Sequence, residues 1–286
     1  MTSCECGCRP PGRSLRQSTA SGVHRALRRI ARHPRRARAQ CLVFRSRWGI
    51  LTAVTDAAPE FHERVGRHPA VAAAWQFDAT TARSSIVAAD GCFDFIVVHD
   101  DTRGRCSGYV YTPVTAAHVV ASAARTRLVG VRLQPGYGAA LRECGPELVR
   151  RVAADGPSSV DALEALVVDT LDAVTPPELV HDFVALARAS RGEHRLTACG
   201  TGSAARELQR ACQRWLGLPP KVFLRIERVW AARRKIREGH PLAAVAAELG
   251  YADQAHLSRE VKQLLGVTPR ALRPVGILQA RSVGRE

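Results

Sequence analysis

The chain has 286 residues, of which 46% are hydrophobic, and a formal net charge of +16. This length allows two domains with their own cores, and the lack of any apolar run of about 18 residues argues against a membrane-spanning helix. The charge is +11 over residues 1–53, −4 over 54–196 and +9 over 197–286. A basic C-terminal third beside a mildly acidic middle is typical of a nucleic-acid-binding domain joined to a second domain.

Residues 1–53 are rich in arginine, poor in acid and without a sustained apolar face. Two interpretations stay open: a disordered basic arm that binds phosphates, or an over-extended start of the reading frame, with an ordinary start near Val54. Cys4, Cys6 and Cys8 lack the spacing of a metal chelate, so we expect no metal there. The scattered cysteines of the whole chain do not resemble a disulfide framework and suit reduced thiols in a cytoplasm.

Residues 54–135 are predicted to form a β-rich domain. A short helix or turn is expected within residues 59–75, and strands follow to about Leu133. The run "SSIVAADGCFDFIVVHDD" contains the turn signal Asp90-Gly91 between two apolar stretches. Further short strands are predicted in "CSGYVYTPV", "AHVVASA" and "RLVGVRLQP", which together favour a compact sheet or small barrel.

Residues 136–194 are predicted to be a helical connector that completes the N-terminal domain. Their apolar periodicity indicates helices at about 137–151, 159–174 and 177–190. Gly145-Pro146 is expected to interrupt the first of these helices.

The middle of the chain contains few side chains that suggest chemistry. His99, Asp100, Asp101 and His118 could in principle bind a metal, but their spacing favours a solvated strand end and a surface histidine. Cys92 is better explained as a small buried hydrophobe than as a sensing thiol. No nucleophile elbow, phosphate-cradling loop or HExxH motif occurs, so we expect neither catalysis nor a cofactor.

The stretch from Glu238 to Pro274 has the pattern of two short helices joined by a tight turn. The first carries an apolar face and ends at Gly250, and Asp253 is a natural N-cap for a second helix from about Gln254 to Leu265. This is the pattern of a helix-turn-helix, whose second helix enters the DNA major groove.

An earlier copy of this unit lies 49 residues upstream, which indicates a repeated supersecondary unit. In the first copy, Ser203 is predicted to cap a helix over Ala204–Leu216. The segment "KVFLRIERVWAARRKIREG" between the copies predicts a stiff helix with an apolar stripe and a solvated face of arginines. It would hold the two units roughly 34 Å apart, one turn of DNA. The matched pairs are Leu208 and Leu257, Arg210 and Arg259, Leu216 and Leu265, Gly217 and Gly266, Pro220 and Pro269, and Lys221 and Arg270.

This layout resembles the AraC/XylS family of bacterial transcription regulators over about residues 195–275. The most specific part is "ELGYADQAHLSREVKQLLGVTPRALR", which is similar to the signature of the family's second helix-turn-helix. Val261 and Cys212 stand where the family usually has phenylalanine. The segments "AADGCFDFIVV" and "LVGVRLQPGYGAAL" also resemble the sensor-like N-terminal domain of some of these regulators.

The resemblance implies which side chains read DNA. Arginine can donate two hydrogen bonds to guanine and glutamine can pair with adenine, whereas alanine offers only apolar contact, for instance to a thymine methyl. The residues that follow the glycine turn of each repeat are better suited to phosphate contacts. The implied base-reading residues are Arg206, Gln209 and Arg210 in the first unit and Gln254, Ala255, Ser258 and Arg259 in the second, and the implied phosphate contacts are Lys221 and Arg270.

These observations predict an α+β protein, with a small β-rich sensor-like domain and helices followed by an all-α double helix-turn-helix domain and a disordered tail at 276–286. The predicted function is sequence-specific regulation of transcription on double-stranded DNA, in the cytoplasm and on the nucleoid. Candidate partners are a small-molecule effector, RNA polymerase and a second copy of the chain. Two alternatives stay open: a DNA-repair protein that accepts a methyl group on Cys92, and a DNA-binding protein that needs no ligand.

Overall fold

A computed structural model describes residues 61–154, 156–157, 159–171, 174–193 and 202–273. The arm predicted at 1–53 and the tail predicted at 276–286 lie outside the described residues. The first part of the described chain is a β domain. Its strands are β1 (Phe61–Val65), β2 (Val71–Ala79), β3 (Arg83–Val87), β4 (Asp94–Asp100), β5 (Arg105–Tyr111), β6 (His118–Ser122) and β7 (Thr126–Leu133).

Five of these strands form one antiparallel sheet in the order β1-β2-β7-β4-β5, and β3 pairs with β6 in a separate two-stranded ribbon. Because successive side chains in a strand point to opposite faces, the sheet has two different surfaces. One surface packs on helices through buried residues such as Val97, Val129 and Val131. The other carries Trp75, Phe77 and Ile96.

The turn expected within residues 59–75 lies between β1 and β2, where the Val71 N–H donates to the His68 carbonyl at 2.9 Å, but the segment also contains strand β1 and the beginning of β2. Phe61 pairs with Phe77 and Val65 pairs with Ala73 in antiparallel register. The β1 sequence has few apolar residues, so local pattern favoured a turn, whereas pairing with β2 supplies the backbone hydrogen bonds that make it a strand.

Three helices follow the sheet, as predicted. They are α1 (Gly138–Ala154), α2 (Val160–Leu171) and α3 (Glu178–Ala189). The expected interruption of the first helix is wrong, because α1 continues through Gly145 and Pro146. Leu141, Leu148 and Val152 on α1 are fully buried against the sheet, and this packing offsets the hydrogen bond that the proline cannot make.

The C-terminal part of the described chain is entirely helical. Trp230 and Ile236 on the long helix α5 are buried, as the apolar stripe predicted. Together with the β domain, this architecture confirms the α+β fold class. Within the described residues, no helix combines the length and apolar character needed to cross a membrane. The helices are α4 (Ser203–Trp215), α5 (Pro220–Arg237), α6 (Leu242–Glu248), α7 (Gln254–Leu265) and α8 (Pro269–Leu272).

The segment that follows β3 packs into the core of the helical part. Ala88, Ala89 and Cys92 belong to the same buried cluster as Trp230 and Leu264. The Trp230 indole Nε1–H donates to the carbonyl of Ala89 at 2.8 Å. The β-rich part and the helical part therefore share a buried, hydrogen-bonded contact.

Candidate functional site

The backbone of α4 and α7 reproduces the 49-residue repeat. Each helix is followed by a glycine in the left-handed region, Gly217 at φ 69° and Gly266 at φ 76°. Pro220 and Pro269 then begin the next helices at the first position, where proline is tolerated. In the described parts of both units, one helix thus ends at a glycine and the next begins at a proline in the same way. Residues 194–201, where the first unit begins, lie outside the described residues.

The two helices begin differently. The Asp253 carboxylate accepts a hydrogen bond from the backbone N–H of His256 at 2.6 Å, which confirms the predicted N-cap of α7. The predicted cap at Ser203 is wrong, because α4 starts with Ser203 itself and Gly202 is the cap, without a side-chain hydrogen bond. Gly202 has φ 69°, a conformation that glycine adopts without strain.

The Asp253 cap leads to a prediction for stability. Replacing Asp253 with alanine removes the acceptor for the His256 N–H, and we expect the free energy of unfolding to fall by about 1 kcal/mol. Urea denaturation measures the change, and Asp253→Ser, which can cap the helix as well, serves as the control. An alanine variant as stable as the parent would contradict the capping role.

The predicted base-reading side chains lie on the outer faces of α4 and α7. On α7 the opposite face is buried through Leu257, Val261 and Leu264. The Ser258 hydroxyl is half-buried and donates to the carbonyl of Gln254 at 2.8 Å, which leaves its oxygen as an acceptor. Contact of these residues with DNA stays a prediction. The exposed members are Arg206, Gln209, Arg210, Gln254, Ala255 and Arg259.

Lys221 and Arg270 are exposed in the first turns of α5 and α8. Exposed cations can contact phosphates without reading sequence. Both positions therefore suit the phosphate contacts predicted for them, which stay a prediction.

Helix α7 is fixed to α5 through a carboxylate that sequence reasoning missed. The Glu260 carboxylate accepts from Arg225 Nε at 2.8 Å and from Arg228 Nη2 at 3.1 Å. Burial by itself would raise the pKa of Glu260, but the hydrogen bonds and charges of the two arginines outweigh it and hold the pKa below its ordinary value. The expected solvated face of α5 is wrong for Arg228, which is 4% exposed.

A helix leaves its final C=O groups without N–H donors of its own. Two carbonyls at the end of α7 accept hydrogen bonds from the β-rich part of the chain instead. The Ala89 N–H donates to the Leu264 carbonyl at 2.8 Å, and the Ala117 N–H donates to the Gln263 carbonyl at 2.8 Å. Ala89 follows β3 and Ala117 precedes β6, so the β3–β6 ribbon holds the end of α7 through its backbone.

A cavity of about 80 Å³ lies between the β3–β6 ribbon and the five-stranded sheet. Its wall is mostly apolar and aromatic, with an arginine and two aspartates among the lining residues. Its signal in the sequence is the charged residue inside each of the apolar strands "CFDFIVV" and "RLVGVRLQP", Asp94 and Arg132. The lining residues on the ribbon are Ser85, Val87, Val120 and Ser122, and those on the sheet include Trp75, Phe77, Tyr109, Tyr111 and Arg132.

Among the residues weighed as a metal site, Asp100 and His118 have ordinary hydrogen-bond partners, whereas His99 Nε2 is buried without one among the described residues. Asp100 accepts from the Thr102 hydroxyl and backbone N–H in a strand-end turn, and Tyr111 and His118 share a hydrogen bond of 2.8 Å. Cys92 is buried, and burial raises the pKa of its thiol well above the ordinary value. A buried thiol with a raised pKa is a poor nucleophile, which disfavours the methyl-accepting alternative.

Comparison with known proteins gives one family match. Residues 198–274 match the family model described as a helix-turn-helix domain. This match confirms the AraC/XylS type that the motifs of the C-terminal domain indicated. No curated protein matches the chain.

Among solved structures, the chain is similar to ToxT from Vibrio cholerae O395, with a TM-score of 0.36 and 9% identity over 74% of this chain and 96% of that one. It is also similar to ToxT from strain SCE256 with a bound unsaturated fatty acid, with a TM-score of 0.36 and 10% identity over 75% of this chain and 95% of that one.

Proposed function

From the premise that residues 198–274 form a helix-turn-helix domain of the AraC/XylS type, we propose that this chain regulates transcription by binding specific DNA sequences. In this proposal α4 and α7 enter two adjacent major grooves. The observation that supports it most strongly is the paired arrangement of these helices, each with an exposed polar face and the same glycine turn and proline restart.

The outer faces of both helices have the chemistry that reading bases requires. Arg206 and Gln209 on α4 lie one helical turn apart, and Gln254 and Arg259 lie on the first two turns of α7. These arginine and glutamine side chains are exposed, so the proposed contacts do not require the fold to open. Lys221 and Arg270 would add phosphate contacts, which position the protein without reading sequence.

The β-rich part is proposed to modulate DNA binding when a ligand enters its cavity. The β3–β6 ribbon forms one wall of the cavity, and the residues flanking it hold the Gln263 and Leu264 carbonyls at the end of α7. A ligand that moves the ribbon would therefore move or restrain the second recognition helix. The cavity favours this version over a ligand-independent DNA-binding protein. A cytoplasmic, nucleoid-bound location, a homodimer and contact with RNA polymerase stay predictions.

The DNA-reading role is tested with a site selected from a random duplex pool. Replacing Arg259 with alanine is expected to weaken binding to that site by about 1–3 kcal/mol and to relax preference at one base pair, because one side chain reads one base. Fluorescence anisotropy against all single-base variants of the site measures both effects. An equal loss on every sequence would refute base reading by Arg259.

Two further variants separate base reading from general attraction to DNA. Lys221→Ala is expected to weaken binding on all sequences alike and to lower the slope of log K against log salt by about 1. Arg150→Ala, which removes an exposed arginine from α1 in the β-rich half, is the matched control and is expected to change neither quantity. Failure of the full chain to enrich any sequence from the pool would overturn the proposed function.

A further inference from the structure

The cavity beneath the β3–β6 ribbon is large enough for a small organic molecule. A buried water needs roughly 10–15 Å³ of such space, whereas this cavity measures about 80 Å³. Trp75, Phe77 and Ile96 contribute apolar wall, and Tyr109 is partly exposed at 39%. An aromatic or aliphatic body would find favourable contacts here.

The charge beside this cavity is unbalanced. Arg132 is the cation of the wall among the described residues, and its Nε lies 3.2 Å from a carboxylate oxygen of Asp94 and 3.2 Å from one of Asp90. Asp94 also accepts from the Trp75 indole Nε1–H at 3.0 Å. Arg132 is 7% exposed and Asp94 is 2% exposed, so one guanidinium and two carboxylates meet away from bulk water.

Glu63 adds a third carboxylate with poor compensation. It pairs with Trp75 across β1 and β2, which places both side chains on the same face of the sheet. Its side chain is 6% exposed, and its Oε1 lies 3.8 Å from Arg132 Nη1. Within the described residues this oxygen accepts no hydrogen bond. Burying a carboxylate without full hydrogen bonding is costly.

The protonation behaviour agrees with this geometry. Burial raises the pKa of Glu63 to about 7 and the pKa of Asp90 to about 6, although Arg132 opposes the shift in each case. Three carboxylates therefore surround the single guanidinium of Arg132, and protons take up part of the excess negative charge near neutral pH. An anionic ligand would add to the imbalance, whereas a cation would relieve it.

We propose that this cavity binds a small organic cation, an ammonium or guanidinium group carried on a compact apolar body, with the charged end beside Asp90 and Asp94 of the cavity wall and within the electrostatic reach of Glu63, whose Oε1 lies 3.8 Å from Arg132 Nη1. The apolar body lies among the aromatic side chains of the wall. A regulatory role for this ligand rests on the proposed function, whereas the binding of the ligand to the cavity does not.

The test uses the full chain and three probes that differ in charge: 2-phenylethylamine, 2-phenylethanol and 3-phenylpropionate, with hexylamine, hexanol and hexanoate as an aliphatic set. Binding to the folded state raises the melting temperature. We expect an amine to raise it by about 2 °C or more at millimolar concentration, and the carboxylates to leave it unchanged. The proposal is overturned if neither amine raises the melting temperature more than the alcohol of its own set does. It is also overturned if a carboxylate raises the melting temperature as much as the amine of its set.

Variants then assign the binding to this site. Glu63→Gln keeps the shape of the side chain and removes its charge, and we expect the amine affinity, measured by calorimetry, to fall about tenfold. Asp90→Asn, which can still accept from the Cys92 N–H, gives a second reading if the first variant is poorly folded. Glu147→Gln, an exposed carboxylate on α1, is the control and keeps full affinity. Unchanged affinity in Glu63→Gln and Asp90→Asn would overturn the proposal.

These measurements contain no DNA, so they succeed or fail independently of the proposed function. Adding the amine that binds to the anisotropy assay with the selected site asks the separate question of regulation. Amine binding without any effect on DNA affinity would retain the site and remove its regulatory role.

Discussion

Replacing Glu260 with alanine is expected to lower the free energy of unfolding by about 3–5 kcal/mol, because it leaves a buried charge without its partner. Glu260 is the carboxylate that accepts from both Arg225 and Arg228, and Arg228 is 4% exposed. Without Glu260, α7 also loses two hydrogen bonds to α5 and keeps the one from Arg225 Nη2 to Gln263 Oε1. We therefore expect specific DNA binding to weaken together with stability. Urea denaturation followed by circular dichroism measures the first effect.

Glu248→Ala is the matched control, because Glu248 makes ion pairs with Arg191 and Lys235 while 47% of its side chain is exposed. Exposed ion pairs contribute about 1 kcal/mol or less. If both variants lost the same stability, the buried carboxylate would have no special role. A double variant, Glu260→Ala with Arg228→Met, should recover part of the loss because it removes the unpaired charge as well.

The stabilising effect of Glu260 has a defined dependence on pH. The pKa of Glu260 is lower in the fold than its ordinary value of 4.5. The unfolded chain therefore binds a proton more readily than the folded one, and the contribution is complete above pH 4.5 and lost as pH falls through the folded pKa. The difference in stability between parent and Glu260→Ala should shrink over that acid range. A difference that stayed constant would show that the ionised carboxylate is not its source.

Replacing Gly266 with alanine is expected to cost about 2–5 kcal/mol, for two separate reasons. Its φ of 76° disfavours any residue with a Cβ by about 1–2 kcal/mol. A Cβ built there would also lie 2.5 Å from Cγ2 of Ile86 and 3.1 Å from Cβ of Ala117, and such overpacking costs about 1–3 kcal/mol. Thermal and urea denaturation of the full chain measure the sum.

Gly250 supplies the control, because it has φ 70° at the end of α6 and a Cβ added there meets nothing within 4 Å. Gly250→Ala should therefore show the backbone cost alone. Gly266→Ala combined with Ile86→Ala should relieve the contact with the ribbon. If Gly250→Ala and Gly266→Ala were equally destabilising, the end of α7 would not be packed against β3 as described.

The C-terminal domain could be predicted closely because its signals are local. Gly250, Asp253 and Gly266 mark helix ends through their own backbone and capping preferences, so the bounds of α7 follow from the sequence. Ser203 shows the limit of such signals, because serine is as acceptable at the first position of a helix as at its cap. In the structure the neighbouring Gly202 takes the cap position with φ 69°, and no sequence pattern indicated this.

The features that escaped prediction depend on contacts between distant parts of the chain. Strand β1 exists because β2 pairs with it. The sequence does not distinguish Arg228 from the other arginines of α5, because its partner Glu260 lies 32 residues later in the chain. Glu63 and Arg132 are brought together only by the order of strands in the sheet, so the charged cavity could not be seen as a site in the sequence.

The two hydrogen bonds that join the ribbon to α7 are made by peptide groups rather than side chains. Ala89 and Ala117 donate their backbone N–H groups to the backbone carbonyls of Leu264 and Gln263. Substitutions in the cavity wall therefore need not alter these hydrogen bonds, since none of the four groups that form them belongs to a side chain. The wall residues of β3 and β6 can therefore vary while these hydrogen bonds between the ribbon and α7 are kept.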